Sequence, residues 1–346
     1  MKKSKGIIIA VSVCLVIALL LSSLVFFAIK TSVKDSDIVA TVNGYEICAE
    51  ELKLQMEAQK GYVIEDFGEN KTIDDKFWKT KIDGKTPLEE LKQRALDYFV
   101  KYKVEQQIAV ENGVIKKEDT SFASLMNAMK TENALREQKV KAGEVIYGVK
   151  EYTYNSYLTY TYSNMQIDTR EKLGEKGNAL YATDEELKAW YESVKDVRYP
   201  KFDTMKLDYY KISWSDVIPP EEAESIMKEV RDLVIATGTH DYCDPEYKEI
   251  TIDDDNAADL QKTSPSFFET IQKMKVGDVT EVINENNSSF FAVLKSSKKA
   301  GYKDFNEHKS AIYTEYIDEK YETYVENQVK SAKVEKTSKF EYLKLD

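Results

Sequence analysis

The stretch Pro265–Ile283, PSFFETIQKMKVGDVTEVI, decides the fold of this 346-residue chain. A leading proline and apolar residues at Phe267, Phe268, Ile271 and Met274 predict a short helix over 265–276 with one hydrophobic face. Gly277 closes it in a turn, and Val279 and Ile283 open a β segment. After a polar turn comes the strand SFFAVLKSS, with Phe290, Phe291, Leu294 and Lys295. In MKLDYYKISW, alternation places Leu207, Tyr209 and Lys211 on one face and Tyr210 and Ile212 on the other. Pro219-Pro220 then start a helix with Ile226, Val230, Leu233 and Val234, which Thr237-Gly238 ends. The order is strand, helix, a loop with short helical pieces, helix, and two strands, with Pro200 marking the boundary before it.

Upstream, Ile38, Ala40 and Val42 alternate, Asn43-Gly44 is a tight-turn signal, and Tyr45 to Ile47 pair back as a hairpin. A helix with Leu52, Leu54 and Met56 follows, and residues 61–86 read as a polar insertion or loop. Pro87 opens a long helix in which Leu88, Leu91, Ala95, Leu96, Phe99, Val100, Val104 and Ile108 recur at helical spacing, until Asn112-Gly113 stop it. Residues 118–180 read as further helices. They hold Tyr147, Tyr152, Tyr154, Tyr157, Tyr160 and Tyr162, which read first as helix packing in a chain with 23 tyrosines and second as the lining of a groove for unfolded polypeptide. Thr183 to Glu186 form a capping box ahead of Leu187, Trp190 and Tyr191. At the end, Phe305 to Ala332 make one long amphipathic helix, followed by a strand with Val334, or with Phe340 and Tyr342.

Lys2, Lys3 and Lys5 precede an apolar run from Ile7 to Ile29 that spans about 34 Å as a helix, enough for a bilayer core. The lysines predict residues 1–6 in the cytoplasm and the bulk of the chain outside it. A cleaved signal peptide is the alternative; the run's length and its ending in Phe26-Phe27-Ala28-Ile29 favour an uncleaved anchor. Cys14 is a poorer fit to a lipoprotein site, because Val13 precedes it. Setting aside Lys2, Lys3, Lys5 and Lys30 leaves 45 basic against 61 acidic side chains, a balance of −16 that disfavours nucleic acid and anionic lipid. Beyond the anchor Cys48 and Cys243 remain, either bonded to each other or both reduced.

Pro265, Phe267, Met274, Lys275, Gly277, Leu294 and Lys295 give the region a resemblance to the C-terminal half of a parvulin-type peptidyl-prolyl isomerase domain. Val42-Asn43-Gly44, Ile47 and the helix with early glutamates behind a membrane segment resemble the opening of the PrsA/SurA group of extracytoplasmic foldases. The resemblance implies an α+β chain in four parts beyond residues 1–6. An N-terminal transmembrane helix (7–29) leads into a mainly helical chaperone domain (38–198). The C-terminal helix and strand (303–346) complete that domain, and a parvulin-like antiparallel-sheet domain (199–297) is inserted into it. It also implies unfolded or newly translocated polypeptides as partners, membrane attachment through 7–29, pairing with a second copy as an option, and no cofactor or metal.

Prolyl isomerisation requires an apolar grip on the proline ring and hydrogen bonds that favour the twisted amide, whose uncatalysed barrier is ~18–20 kcal/mol. By resemblance the grip includes Phe267, while the two expected strand histidines fall at Tyr209 or Tyr210 and at Ala292. The methionine position falls near Thr263, and a glycine-glycine turn is replaced by Ala257-Ala258-Asp259-Leu260. The chain has only two histidines, His240 and His308, neither on those strands; Asp253, Asp254 or Asp255 could stand for the acidic partner by resemblance, but three adjacent aspartates read first as a solvated loop. Candidate prolyl-pocket residues are therefore Phe267, Tyr209 and Tyr210, flanked by Phe268, Met274, Phe290 and Phe291. The expectation is a folding chaperone whose isomerase activity is weak or absent. Its alternatives are a working isomerase (Phe267 with Tyr209 or Tyr210 sufficing) and an envelope protein with a purely structural role.

Overall fold

A computed structural model describes residues 32–69, 71–238 and 245–345. The expected anchor at 7–29 lies outside these residues, as do His240 and Cys243. Among the described residues no helix is long and apolar enough to cross a membrane. The chain is α+β and divides into two compact units: the N-terminal part to Ala182 with Glu315–Asp346, and Thr183–Thr314.

In the first unit, β1 (Ile38–Val42) and β2 (Tyr45–Cys48) form the hairpin. Asn43 and Gly44 both take positive φ (52° and 82°), the geometry a two-residue turn between right-twisted strands requires. Two helices follow, α1 (Ala49–Phe67) and α2 (Pro87–Glu111), the latter opened by a capping box between Thr86 and Glu89. Leu52, Met56, Leu91, Ala95, Leu96 and Phe99 pack there against Val39, Ala40 and Val42. Residues 61–86 depart from the expected polar loop. The helix continues to Phe67 with Val63 in the core, and Phe77 and Trp78 insert from a 3-10 turn with their rings 5.1 Å apart, edge to face. Two isolated aromatics carry no period, so sequence alone marks only the polar residues around them.

Next come α3 (Phe122–Lys141) and α4 (Tyr154–Gly174). The C-terminal β7 (Val334–Lys336) then pairs antiparallel with β1, giving the sheet order β2-β1-β7. Phe340, one of the alternatives for that strand, sits instead on a short helix, Ser338–Glu341, and is buried in this core with Tyr321 and Val325.

The second unit opens with α5 (Asp184–Arg198), whose Thr183 side chain accepts from the Glu186 N–H. It then runs β3 (Thr204–Ser213), α6 (Pro220–Thr237), β4 (Glu246–Ile252), α7 (Ala257–Thr263), α8 (Pro265–Ile271), β5 (Ile283–Glu285) and β6 (Ser288–Lys298). The four strands form one antiparallel sheet in the order β4-β3-β6-β5. One face carries Met205, Leu207, Phe267, Phe268, Ile271, Phe290 and Leu294, and the opposite face carries Tyr210, Ile212, Met227, Val230, Val234 and Phe291. The helix expected over 265–276 stops at Ile271. Met274 lies in the following turn, half-buried against the first face, and Val279 makes only an isolated bridge to Val293. The alanines replacing the glycine pair do not form a turn at all. Lacking access to positive φ, Ala257 and Ala258 open α7. The last long helix, α9, spans Phe305–Ser331.

Candidate functional site

Alternation along β3 separates the two tyrosines that register left interchangeable. Tyr209 lies opposite Ala292 on β6 and Lys248 on β4, on the face that α8 covers. Its ring is 5.8 Å from Phe267 and 5.1 Å from Phe290, and Phe267 meets Phe290 edge to face at 5.3 Å. Phe267 is only 2% exposed, so the space beside it is filled by these rings. Phe268 packs at 5.5 Å against Phe202 in the same cluster, and Met274 borders it. Tyr210 and Phe291 are on the other face, stacked at 4.7 Å with Tyr247 beside them. Of the seven candidates, then, five come together and two do not.

Ala292, at the place of the second histidine, is equally closed. Its N–H donates to the Thr280 hydroxyl at 3.0 Å and its carbonyl accepts the Thr280 N–H at 2.9 Å. The turn that brings Thr280 there is fixed by Gly277, φ 96°, whose N–H donates to the Leu294 carbonyl at 2.8 Å. Burial, then the nearby Glu246 and Glu285 charges, push the Tyr209 phenol above its ordinary pKa, so it stays neutral and cannot serve as a base near neutrality. The sheet also buries polar groups away from this cluster. Asp208 accepts from the Tyr247 hydroxyl at 3.0 Å and pairs with Lys295 at 3.3 Å, while burial and that bond push the Tyr247 pKa up to about 12. Asp253 and Asp254 serve the loop: Asp254 accepts the Phe202 N–H and Asp253 the Asp255 N–H. His308 sits on the first turn of α9 beside the Asp304 carbonyl.

In the first unit the tyrosine cluster also splits. Tyr154 and Tyr157 are buried, and Tyr162 donates to the carboxylate of Glu105, a buried side chain that also accepts from Tyr321 (3.0 Å) and Gln166 (3.0 Å). These are packing residues. Tyr147, Tyr152 and Tyr160 belong to a different arrangement at the end of the α3–α4 hairpin, which Tyr157 joins through its ring, 5.3 Å from Tyr152 and 6.3 Å from Tyr160. Arg136 stacks on the Tyr152 ring at 4.5 Å and donates to the carbonyls of Tyr147 and Val149, and Asn133 exchanges two hydrogen bonds with the backbone of Tyr152. The loop is thereby pinned to α3, yet its apolar side chains point to solvent: Tyr147 is 88% exposed, Val145 76% and Val149 nearly half, and beside it Leu135 on α3 and Tyr160 on α4 are nearly half exposed too. None of the residues of α3 is buried. The sequence signal available for this site was the combination of Arg136 with a tyrosine run, which periodicity does not detect.

No family model matches the chain, and no curated sequence matches it. Solved structures to which it is similar are SurA-like chaperones and PrsA foldases. A structure from the Campylobacter jejuni pair PEB4 and Cj1289, described as SurA-like chaperones, is 14% identical, with a TM-score of 0.33 over 87% of this chain and 99% of that one. PrsA from Bacillus subtilis is 15% identical (TM-score 0.21, 75% and 92% covered), and foldase protein PrsA from Streptococcus pneumoniae 12% (0.25, 72% and 90%). Likeness at this level assigns no function; the chain's own geometry has to supply it.

Proposed function

We propose that this chain is a membrane-anchored extracytoplasmic folding chaperone, whose sheet unit keeps a parvulin-like frame with little or no prolyl isomerase activity. The first unit is the client-binding part, anchored through residues 7–29, and unfolded or newly translocated polypeptides are its partners. The observation that carries this reading is the pinned loop at the end of the α3–α4 hairpin. Val145, Tyr147 and Val149 stand exposed on a backbone that Arg136 and Asn133 hold in place. A run of exposed apolar side chains on an ordered element is the kind of patch that marks interaction surfaces. For the sheet unit the support is the filled space around Phe267 and the apolar Ala292, which leave neither a seat for a proline ring nor a polar pair for its amide.

Two measurements test the reading. The protein should suppress aggregation of a chemically unfolded test protein, and a V145S/Y147S/V149S variant should lose most of that effect while keeping its melting temperature. In a protease-coupled assay on Xaa-Pro peptides it should not accelerate isomerisation. Acceleration that Phe267→Ala abolishes would establish a working isomerase instead, and absence of any aggregation suppression would leave a structural envelope protein.

A further inference from the structure

A cleft of about 740 Å³ opens in the first unit between β2 and the start of α3, within the volume range of sites that bury small ligands or short peptide segments. Ile38, Tyr45, Phe122 and Met126 give it apolar walls. Glu51, 1% exposed, also lines it; one carboxylate oxygen pairs with Lys103 at 3.1 Å, and the other, Oε2, is buried without a hydrogen-bond partner. A buried carboxylate oxygen left unsatisfied costs stability unless something else satisfies it. The charge around it is one-sided: Asp35, Glu46, Glu50 and Glu118 border the cleft against Lys117 and Lys130. Lys117 already lies over the Tyr45 ring, its Nζ 5.6 Å from the centroid, so a cation at this wall is compatible with the geometry.

The third wall is backbone. β2 is an edge strand of its sheet, and Val42 and Tyr45 flank the two-residue turn. The alternation of an antiparallel ladder then directs the N–H and C=O of Glu46, which borders the cleft, away from β1. An edge strand with outward backbone groups takes an extended chain.

We propose that this cleft seats an extended basic–apolar segment of a polypeptide, pairing with the β2 edge and placing an arginine or lysine side chain against Glu51. The proposal rests on the chaperone reading and names the chemistry of the client segment. The test uses the full-length protein and three N-acetylated, C-amidated fluorescent decapeptides with leucines flanking a central arginine, citrulline or glutamate. A fourth peptide has the glutamate centre and a free N-terminal amine. Anisotropy titration should show the arginine peptide binding at least about tenfold more tightly than the glutamate and citrulline peptides. Glu51→Gln should erase most of that preference. Ala123→Trp, which fills the cleft from an exposed position on α3, should weaken the arginine peptide about tenfold even if Glu51→Gln disturbs folding. Equal binding of the acetylated peptides, or arginine-peptide binding unchanged in Ala123→Trp, overturns the proposal. So does binding of only the free-amine peptide, which assigns the site to a chain terminus. Aggregation suppression separates the two readings. If Ala123→Trp retains suppression and peptide affinity, clients bind elsewhere and only this site fails; if the wild-type protein never suppresses aggregation, the chaperone reading itself fails.

Discussion

Glu51 shows how a single side chain sets a pH response. Desolvation holds its pKa above the ordinary 4.5, and the adjacent Lys103 charge only partly opposes the rise. Folded protein therefore keeps this proton to higher pH than unfolded protein does, so the contribution to stability falls as pH climbs from the ordinary carboxylate value to the raised folded one. Urea midpoints taken as pH rises from the ordinary carboxylate value should show the wild type losing stability relative to Glu51→Gln. A difference that is flat or rises with pH would mean Glu51 is charged in the fold at no cost. Tyr209 and Tyr210 make the complementary point. The two are chemically identical neighbours, yet one joins Phe267 and Phe290 and the other stacks on Phe291 across the sheet.

Among the elements, the turn after α8 is the tightest test of local reasoning. Gly277 has φ 96°, and a β-carbon placed on it would meet nothing within 4 Å. Gly277→Ala therefore carries a backbone penalty with no packing term, about 1–2 kcal/mol, and should lower the urea midpoint of the sheet unit accordingly. An unchanged midpoint would show that the turn relaxes to another conformation and that Thr280 is not held against Ala292. The hairpin at Asn43-Gly44, the capped start at Thr183 and the stop at Gly238 were all legible because turn and cap chemistry is local. The early end of α8 and the insertion of Phe77 and Trp78 were not: each depends on what the rest of the unit offers as a packing surface.

At the scale of the whole molecule, the first unit depends on both ends of the described chain. β7 pairs with β1, and the Thr337 hydroxyl donates to the Ile38 carbonyl from 299 residues away. Truncation after Thr314 removes that strand together with Tyr321, Val325 and Phe340 from the core. The first unit should then lose its cooperative unfolding transition, while Thr183–Thr314 retains one, as read by hydrogen exchange in each segment. Retention of protection in Val39, Leu91 and Phe99 would show that the C-terminal segment is dispensable. The sequence by itself determined periods, turns and caps, and hence which residues share a strand face, because these follow from backbone geometry within a few residues. It placed Tyr209 and Tyr210 on opposite faces before either had a partner. Only the tertiary structure decided that Phe290 and Tyr209 fill the space beside Phe267, that Thr280 caps Ala292, and that an unsatisfied Glu51 lines an acidic cleft. Such contacts join residues distant in sequence, and close packing of the whole unit selects them rather than any local preference.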